Sequence, residues 1–293
     1  MKFPLHAVSI FMLLPAILLS CQTSEQQGTN QAKHLKRTIT ISLPNLPKDA
    51  KPLKMRLIPP GTYQMGCPAD ERSAVGREWP PHMVTISKAF YLGVYEVTQA
   101  QWHAVMGTRP AKDYGTGNNH PIYNVTWNDG QAFMQRLNEL GQGRFRLPTE
   151  AEWEYACRAG TTTRFSFGDA LECNDIREYE PLLDRYMWWG GNNGKQGYAE
   201  GTKEVGLKLP NPWGLYDIHG NVWEWCADWW ETASHRGPQI DPQGPETGTH
   251  KVMRGGAWES HALHLRSADR SPIPPDSLQY GRLIGLRLAR DYP

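Results

Sequence analysis

Residues 214–230 read GLYDIHGNVWEWCADWW, and the fold turns on how this stretch is understood. Trp223, Trp225, Trp229 and Trp230 fall within eight positions, laced with Asp217, Glu224 and Asp228. Two readings compete. The stretch is either a core segment with a polar edge, or the wall of a site whose acids hold a metal.

The surrounding composition narrows the choice. The chain has 293 residues, with Lys+Arg 31 against Asp+Glu 30. That balance excludes a nucleic-acid partner bound through a basic excess. It holds 12 Trp, 28 Gly and 23 Pro, a mixture that favours turns over long helices or strands. The length suffices to bury one sizeable core.

The first residues stand apart. MKFPLHAVSIFMLLPAILLSC has a basic start at Lys2, an apolar run from Ala7 to Leu19, and then Ser20-Cys21. The run is short for a membrane span and fits a secretory segment. Residues 1–20 are expected to be a lipoprotein signal peptide, with Cys21 lipidated as the mature N-terminus. The lipid would hold the protein in the cell envelope, at the outer membrane facing the periplasm, because Gln22 and not Asp follows Cys21. Residues 21–51, rich in Gln, Ser, Thr and Lys, read as a flexible tether, although TITISL (38–43) alternates like a strand and would end the tether near Arg37. Residues 52–293 are expected to form one domain. Cys67, Cys157, Cys173 and Cys226 contain no C-x-x-C pair, so a zinc ribbon is not expected. Cys157 and Cys226 read as buried free thiols.

Within the domain, MRLIPPGTYQMG (55–66) reads as strand, turn and strand, and HMVTISKAFYLGVYEVT (82–98) as a hairpin-like pair. Thr98-Gln-Ala-Gln101 and Thr149-Glu-Ala-Glu152 have the form of capping boxes that open helices, the first stopped at Gly107 and the second at Gly160. A third helix over 127–140 carries Phe133, Leu137 and Leu140 on one face and ends at Gly141. RGGAW (254–258) and GLRLAR (285–290) read as closing strands.

IPPGTYQMG, EVTQAQW, HPIYNVTWNDGQAF, RFRLPTEAEWEYACRAG, PNPWGLYDIHGNVWEWCADWW, RGGAW and GLRLAR follow one another in an order that resembles the sulfatase-modifying factor family, home of the formylglycine-generating enzymes. The resemblance runs from Met55 to Arg290. It implies an α+β, C-type-lectin-like fold with short helices around antiparallel strands and little regular structure. It also implies a calcium site at Asp217, Gly220, Val222 and Glu224, where carboxylates and backbone carbonyls of an irregular loop suit a hard cation. The family's second calcium loop would fall between Asn174 and Gly206, where this chain departs from the pattern, and no second site is carried over. Trp223 matches a position that lines the family's cleft, while Trp225, Trp229 and Trp230 read as core.

The family's oxidases bind copper(I) through two cysteines after the Arg-Gly-Gly turn. Here the segment reads RGGAWESHALHLRSADR (254–270): the first cysteine position falls on Ser260, the second near His264, and no cysteine follows Cys226. Copper is therefore not expected. Trp223, Trp258, Glu259, Ser260, His261 and His264 remain as candidate cleft residues. A Ser260–His264–Asp269 hydrolytic set has no supporting nucleophile-elbow context. Three functions stay open: a non-oxidase accessory or binding protein with a protein or peptide partner in the envelope, a diverged periplasmic maturation enzyme like the family's pyoverdine-pathway relative, and a formylglycine-generating oxidase.

Overall fold

The computed structural model describes residues 37–67, 76–78, 80–169, 181–194, 200–232 and 237–293. Cys21, the signal segment, residues 21–36 of the tether, Cys173 and residues 174–180 and 195–199 lie outside them. The folded unit starts at Arg37, earlier than residue 52. β1 (Thr38–Ile41) pairs antiparallel with β2 (Leu53–Ile58), and Ile41 and Leu43 bury into the core, so TITISL behaves as its alternation indicates and not as tether.

A five-stranded sheet runs β1-β2-β5-β12-β6, with β5 at Phe90–Gly93, β6 at Phe145–Arg146 and β12 at Ala289–Asp291. A three-stranded sheet joins β3 (Gly61–Met65), β4 (His82–Ile86) and β8 (Gln239–Ile240). A four-stranded sheet runs β10-β9-β7-β11, from Arg270–Ile273, Lys251–Arg254, Trp223–Trp229 and Ile284–Gly285. The hairpin expected over 82–98 is not formed. β4 pairs with β3, while β5 pairs with β2 and β12, because β5 is buried at every position and needs strands on both sides. RGGAW also departs from expectation: the strand stops at Arg254, and Gly255 and Gly256 turn with φ 95 and 75.

Helices α1 (Gln99–Met106), α2 (Trp127–Glu139) and α3 (Glu150–Arg158) each begin with a complete capping box, from Thr98 with Gln101, Thr126 with Asp129, and Thr149 with Glu152. A short α4 covers Pro181–Tyr186. α1 ends on Gly107 in the left-handed region, whereas Ala159 takes that conformation ahead of Gly160. α1 and α2 face each other through Trp102 and Phe133, stacked at 5.1 Å between ring centroids.

Much of the interior is loop, and buried arginines satisfy its carbonyls. Arg254 donates to the carbonyls of Ala268 and Asp269 and pairs with Glu154. Arg287 donates to Gly93 O, Val94 O and Tyr216 O. Both side chains are fully buried. The guanidinium fork replaces the ladder bonds that longer strands would supply.

Candidate functional site

β7 enters the four-stranded sheet directly after the loop 217–222, and this loop is bent by three residues with positive φ: Asp217 at 56, Gly220 at 109 and Asn221 at 62. Gly220 has no room for a side chain, since a Cβ there would strike the Trp188 carbonyl and Leu265. The loop is clamped to the Arg-Gly-Gly turn. Gly220 N donates to Gly255 O at 2.9 Å, and Trp258 N donates to Asn221 O at 2.9 Å. The two stretches singled out from sequence, 35 and 37 residues apart along the chain at these bonded pairs, thus form one unit.

Three buried carboxylates surround this loop. Asp217 Oδ2 accepts from Gly206 N at 2.6 Å, while Asp217 Oδ1 is buried without a partner. Burial pushes the Asp217 carboxyl up to about 6, against the pull of Arg287 and Lys51. Glu96 accepts from Val222 N at 3.1 Å and Asn221 Nδ2 at 2.8 Å, and burial, then Asp217 and Glu224, raise it well above the usual carboxylate range. Glu224 accepts four N–H contacts: three from Arg287 at 2.7 to 3.0 Å and one from Trp153 Nε1 at 2.7 Å. These contacts come from three N–H groups, the Arg287 Nε being shared between both oxygens, so Glu224 is largely committed to Arg287 and Trp153. Among the described residues no group of three or more His, Cys, Asp or Glu side chains converges as a metal set. The orphaned Asp217 oxygen in a region of excess negative charge nevertheless fits a hard cation, completed by carbonyl oxygens of the loop, with Glu224 serving to anchor Arg287.

The residues near the family's cysteine positions are spread over different environments. Ser260 Oγ accepts from Ala257 N at 3.0 Å, Ser260 N donates to Ala257 O at 2.8 Å, and Ser260 O accepts from Gly190 N at 2.9 Å. The serine therefore closes its own turn. His264 is half-exposed, and its Nδ1 lies 3.4 Å from Asp269 Oδ2. Asp269 is buried and held by Arg77 at 3.2 Å and Arg266 at 3.6 Å, with its carboxyl kept below the usual range despite burial. His261 is half-buried and its carbonyl accepts from His264 N. Glu259 pairs with Arg282 at the surface, at 3.0 Å.

Trp258 is buried, stacks on Tyr114 at 5.5 Å and donates Nε1 to Arg282 O. Trp223 is likewise buried within the main apolar cluster, beside Val222 and Ile284, so it packs as core. Trp225 is core too, while Trp229 and Trp230 are half-buried and cover Lys251 and Arg270 respectively. The opening stretch is thus both things at once, a metal-compatible loop (217–222) leading into a core strand.

Sequence reasoning missed His219, which lies inside the quoted stretch. Its Nδ1 faces Leu265 O at 2.7 Å, so Nδ1 carries the proton and Nε2 accepts from Ser166 Oγ at 2.9 Å and Ser166 N at 3.1 Å. Cys157 Sγ sits 3.7 Å from Nε2, but burial pushes this thiol up to about 12, and the imidazole is already engaged. The pair is structural. Cys226 is also buried with its thiol raised well above the usual range, and Cys67 is buried beside Arg266.

The model of the sulfatase-modifying factor enzyme 1-like domain matches residues 43–292. A formylglycine-generating enzyme of Thermomonospora curvata is 39% identical over 195 residues, spanning 62% of this chain and 59% of that protein. The chain thus spans about three-fifths of that relative's length. The formylglycine-generating enzyme of Mus musculus is 29% identical over 337 residues, covering 93% of this chain and 86% of that one. Among solved structures, PvdO from Pseudomonas aeruginosa superposes with a TM-score of 0.72 at 28% identity, over 86% of this chain and all of that one. Treponema denticola variable protein 1 gives 0.71 at 28%, over 87% of this chain and 99% of that one. These likenesses agree with the α+β fold expected from the resemblance.

Proposed function

Because the chain belongs to the sulfatase-modifying factor family, we propose that it is a lipid-anchored protein of the cell envelope that binds a protein or peptide partner and does not oxidise cysteine. The observation that carries this reading is the state of Ser260. At the place where the resemblance puts the first copper-binding cysteine stands a hydroxyl committed to the Ala257 amide. A hydroxyl is a poor ligand for a soft monovalent metal, and an imidazole near the second position does not complete a two-thiolate site. The described thiols at Cys157 and Cys226 are buried and held in the protonated form, so neither offers a substitute thiolate. The anchor rests on residues 1–21, whose apolar run ends at Ser20-Cys21.

Calcium belongs to the same reading. Asp217 would hold it with the carbonyls of Gly220 and Val222, and the bound ion would supply positive charge beside Asp217 and Glu96. Glu96 fixes the Asn221 side chain and the Val222 amide, and Arg287 balances Glu224. The ion would stiffen the loop that is clamped to the Ser260 turn.

The deciding experiment is a copper(I) titration of the full chain followed by incubation with a sulfatase-type cysteine peptide. The expected result is no stoichiometric copper binding and no aldehyde in the peptide. Tight copper binding with aldehyde formation would overturn the proposal. A second reading, an enzyme with altered chemistry, draws on the approach of His264 to buried Asp269, which would orient the imidazole as a base. Turnover that disappears in His264→Gln, with folding intact, would favour it.

A further inference from the structure

The start of α3, the end of β7, the start of β10, the end of β3 and the start of β4 line a cleft that opens to solvent. Trp223, Trp258, Ser260 and His264 do not line it, so it is separate from the face discussed above. Its walls include Met65, Trp229, Pro242 and Pro245, and its floor carries Asp228 and Glu150.

The ionic pairing of this floor is incomplete. Glu150 is matched by Arg270 at 2.5 Å, Glu154 by Arg158 at 2.8 Å and by Arg254, and Glu78 by Arg266 at 2.7 Å. Arg77 is spent on Asp269. Asp228 remains. It is 4% exposed, its Oδ2 accepts from Glu150 N at 2.7 Å, and among the described residues it has no salt-bridge partner. Lys251, on the adjacent strand β9, turns its ammonium to Ala227 O and to the rings of Trp229 and Trp127.

A buried carboxylate left without a counter-ion is unfavourable. Burial first, and Glu150 second, push Asp228 up to about 7, against the pull of backbone amides and of the more distant Arg270, which is itself paired with Glu150. Arginine or lysine placed against Asp228 would have removed that cost, as happens for Glu150, Glu154 and Glu78. The chain instead leaves the acid at the bottom of a cleft with apolar sides. Gly244 leans over it, and a Cβ there would lie 3.3 Å from Asp228 Oδ1.

We propose that this cleft binds a primary alkylammonium group, with the ammonium paired to Asp228 and the methylene stem lying along Trp229, Pro242 and Pro245. A stem of this kind packs on apolar walls while its charged end finds the acid. The two sources of such a group are a lysyl side chain of a peptide and a free small amine.

Calorimetric titration of the full chain with Nα-acetyl-lysinamide and with n-butylamine tests this directly. Nα-acetyl-norleucinamide, which keeps the apolar stem and lacks the ammonium, is the control. Saturable binding of either amine, with the norleucine analogue at least about tenfold weaker, is the expected result, as is a loss of about tenfold or more in Asp228→Asn. The tighter of the two amines names the source. Asparagine can still accept the Glu150 amide, and the norleucine comparison needs no variant, so a folding defect would not hide the answer. No saturable binding by either amine, or binding that ignores the ammonium, would overturn the proposal. Neither result bears on copper or aldehyde formation, so this inference and the functional proposal fail separately.

Discussion

At the scale of single residues, His219 stores an acid-sensitive contribution. Burial lowers its pKa from 6.5 to about 4 in the folded protein. The unfolded chain then binds the proton first as pH drops. Stability is full above the unfolded value and is lost as pH falls from about 6.5 toward 4, by about 3 kcal/mol. Urea unfolding at pH 7, 5.5 and 4.5 should show this slope, and His219→Gln should flatten it. Arg287 is a second such residue. Its guanidinium is the ion-pair partner of Glu224 and donates to three backbone carbonyls. Arg287→Met should cost about 3–5 kcal/mol, because Glu224 stays buried without its partner. A loss under about 1 kcal/mol in urea unfolding would show that the carboxylates relax by another route.

At the scale of elements, the helices were the readable part. The signals that open α1 and α3 lie within four residues of one another, and Thr98–Gln101 and Thr149–Glu152 form both reciprocal bonds. Thr126→Ala removes the corresponding cap of α2 and should cost about 1 kcal/mol in urea unfolding, whereas Asn at 126 should cost less. Strand pairing was the opaque part. MVTIS and FYLG lie close together in sequence and both read as strand, yet they enter different sheets, because partners for β5 lie at 53–58 and 289–291. No local pattern encodes that choice. The site was legible in the same measure. Asp217, Gly220 and Val222 read as an irregular loop, but the engagement of Glu224 by Arg287 and Trp153 joins positions 63 and 71 residues apart. Asp228 looked like one more acid among tryptophans, and only the assembled floor of the cleft reveals that it lacks a counter-ion.

At the scale of the whole molecule, the proposed calcium would compete with protons for one carboxylate, Asp217. The folded-state value of Asp217 is raised to about 6, so without calcium its charge weakens the fold progressively as pH rises from about 4 through 6. Saturating calcium should therefore raise Tm more at pH 7.5 than at pH 5, and Asp217→Asn should reduce that difference. Thermal unfolding with calcium and with a chelator measures both; an equal shift at the two pH values would remove Asp217 as the ligand. The buried arginine network gives the same molecule its tolerance of short strands, since loop carbonyls are satisfied by side chains donated from distant segments.

The place of β12 sets the order of events during folding. Residues 289–291 sit between β5 and β6, which are not bonded to each other. A ribosome that has delivered β5 and β6 has therefore not delivered the strand that joins them. The largest sheet must stay open until residues 289–291 have been synthesised, and β12 then closes it like a keystone. Such late, long-range closure makes folding slow, because the joining strand must find partners about 200 and about 145 residues away in the chain.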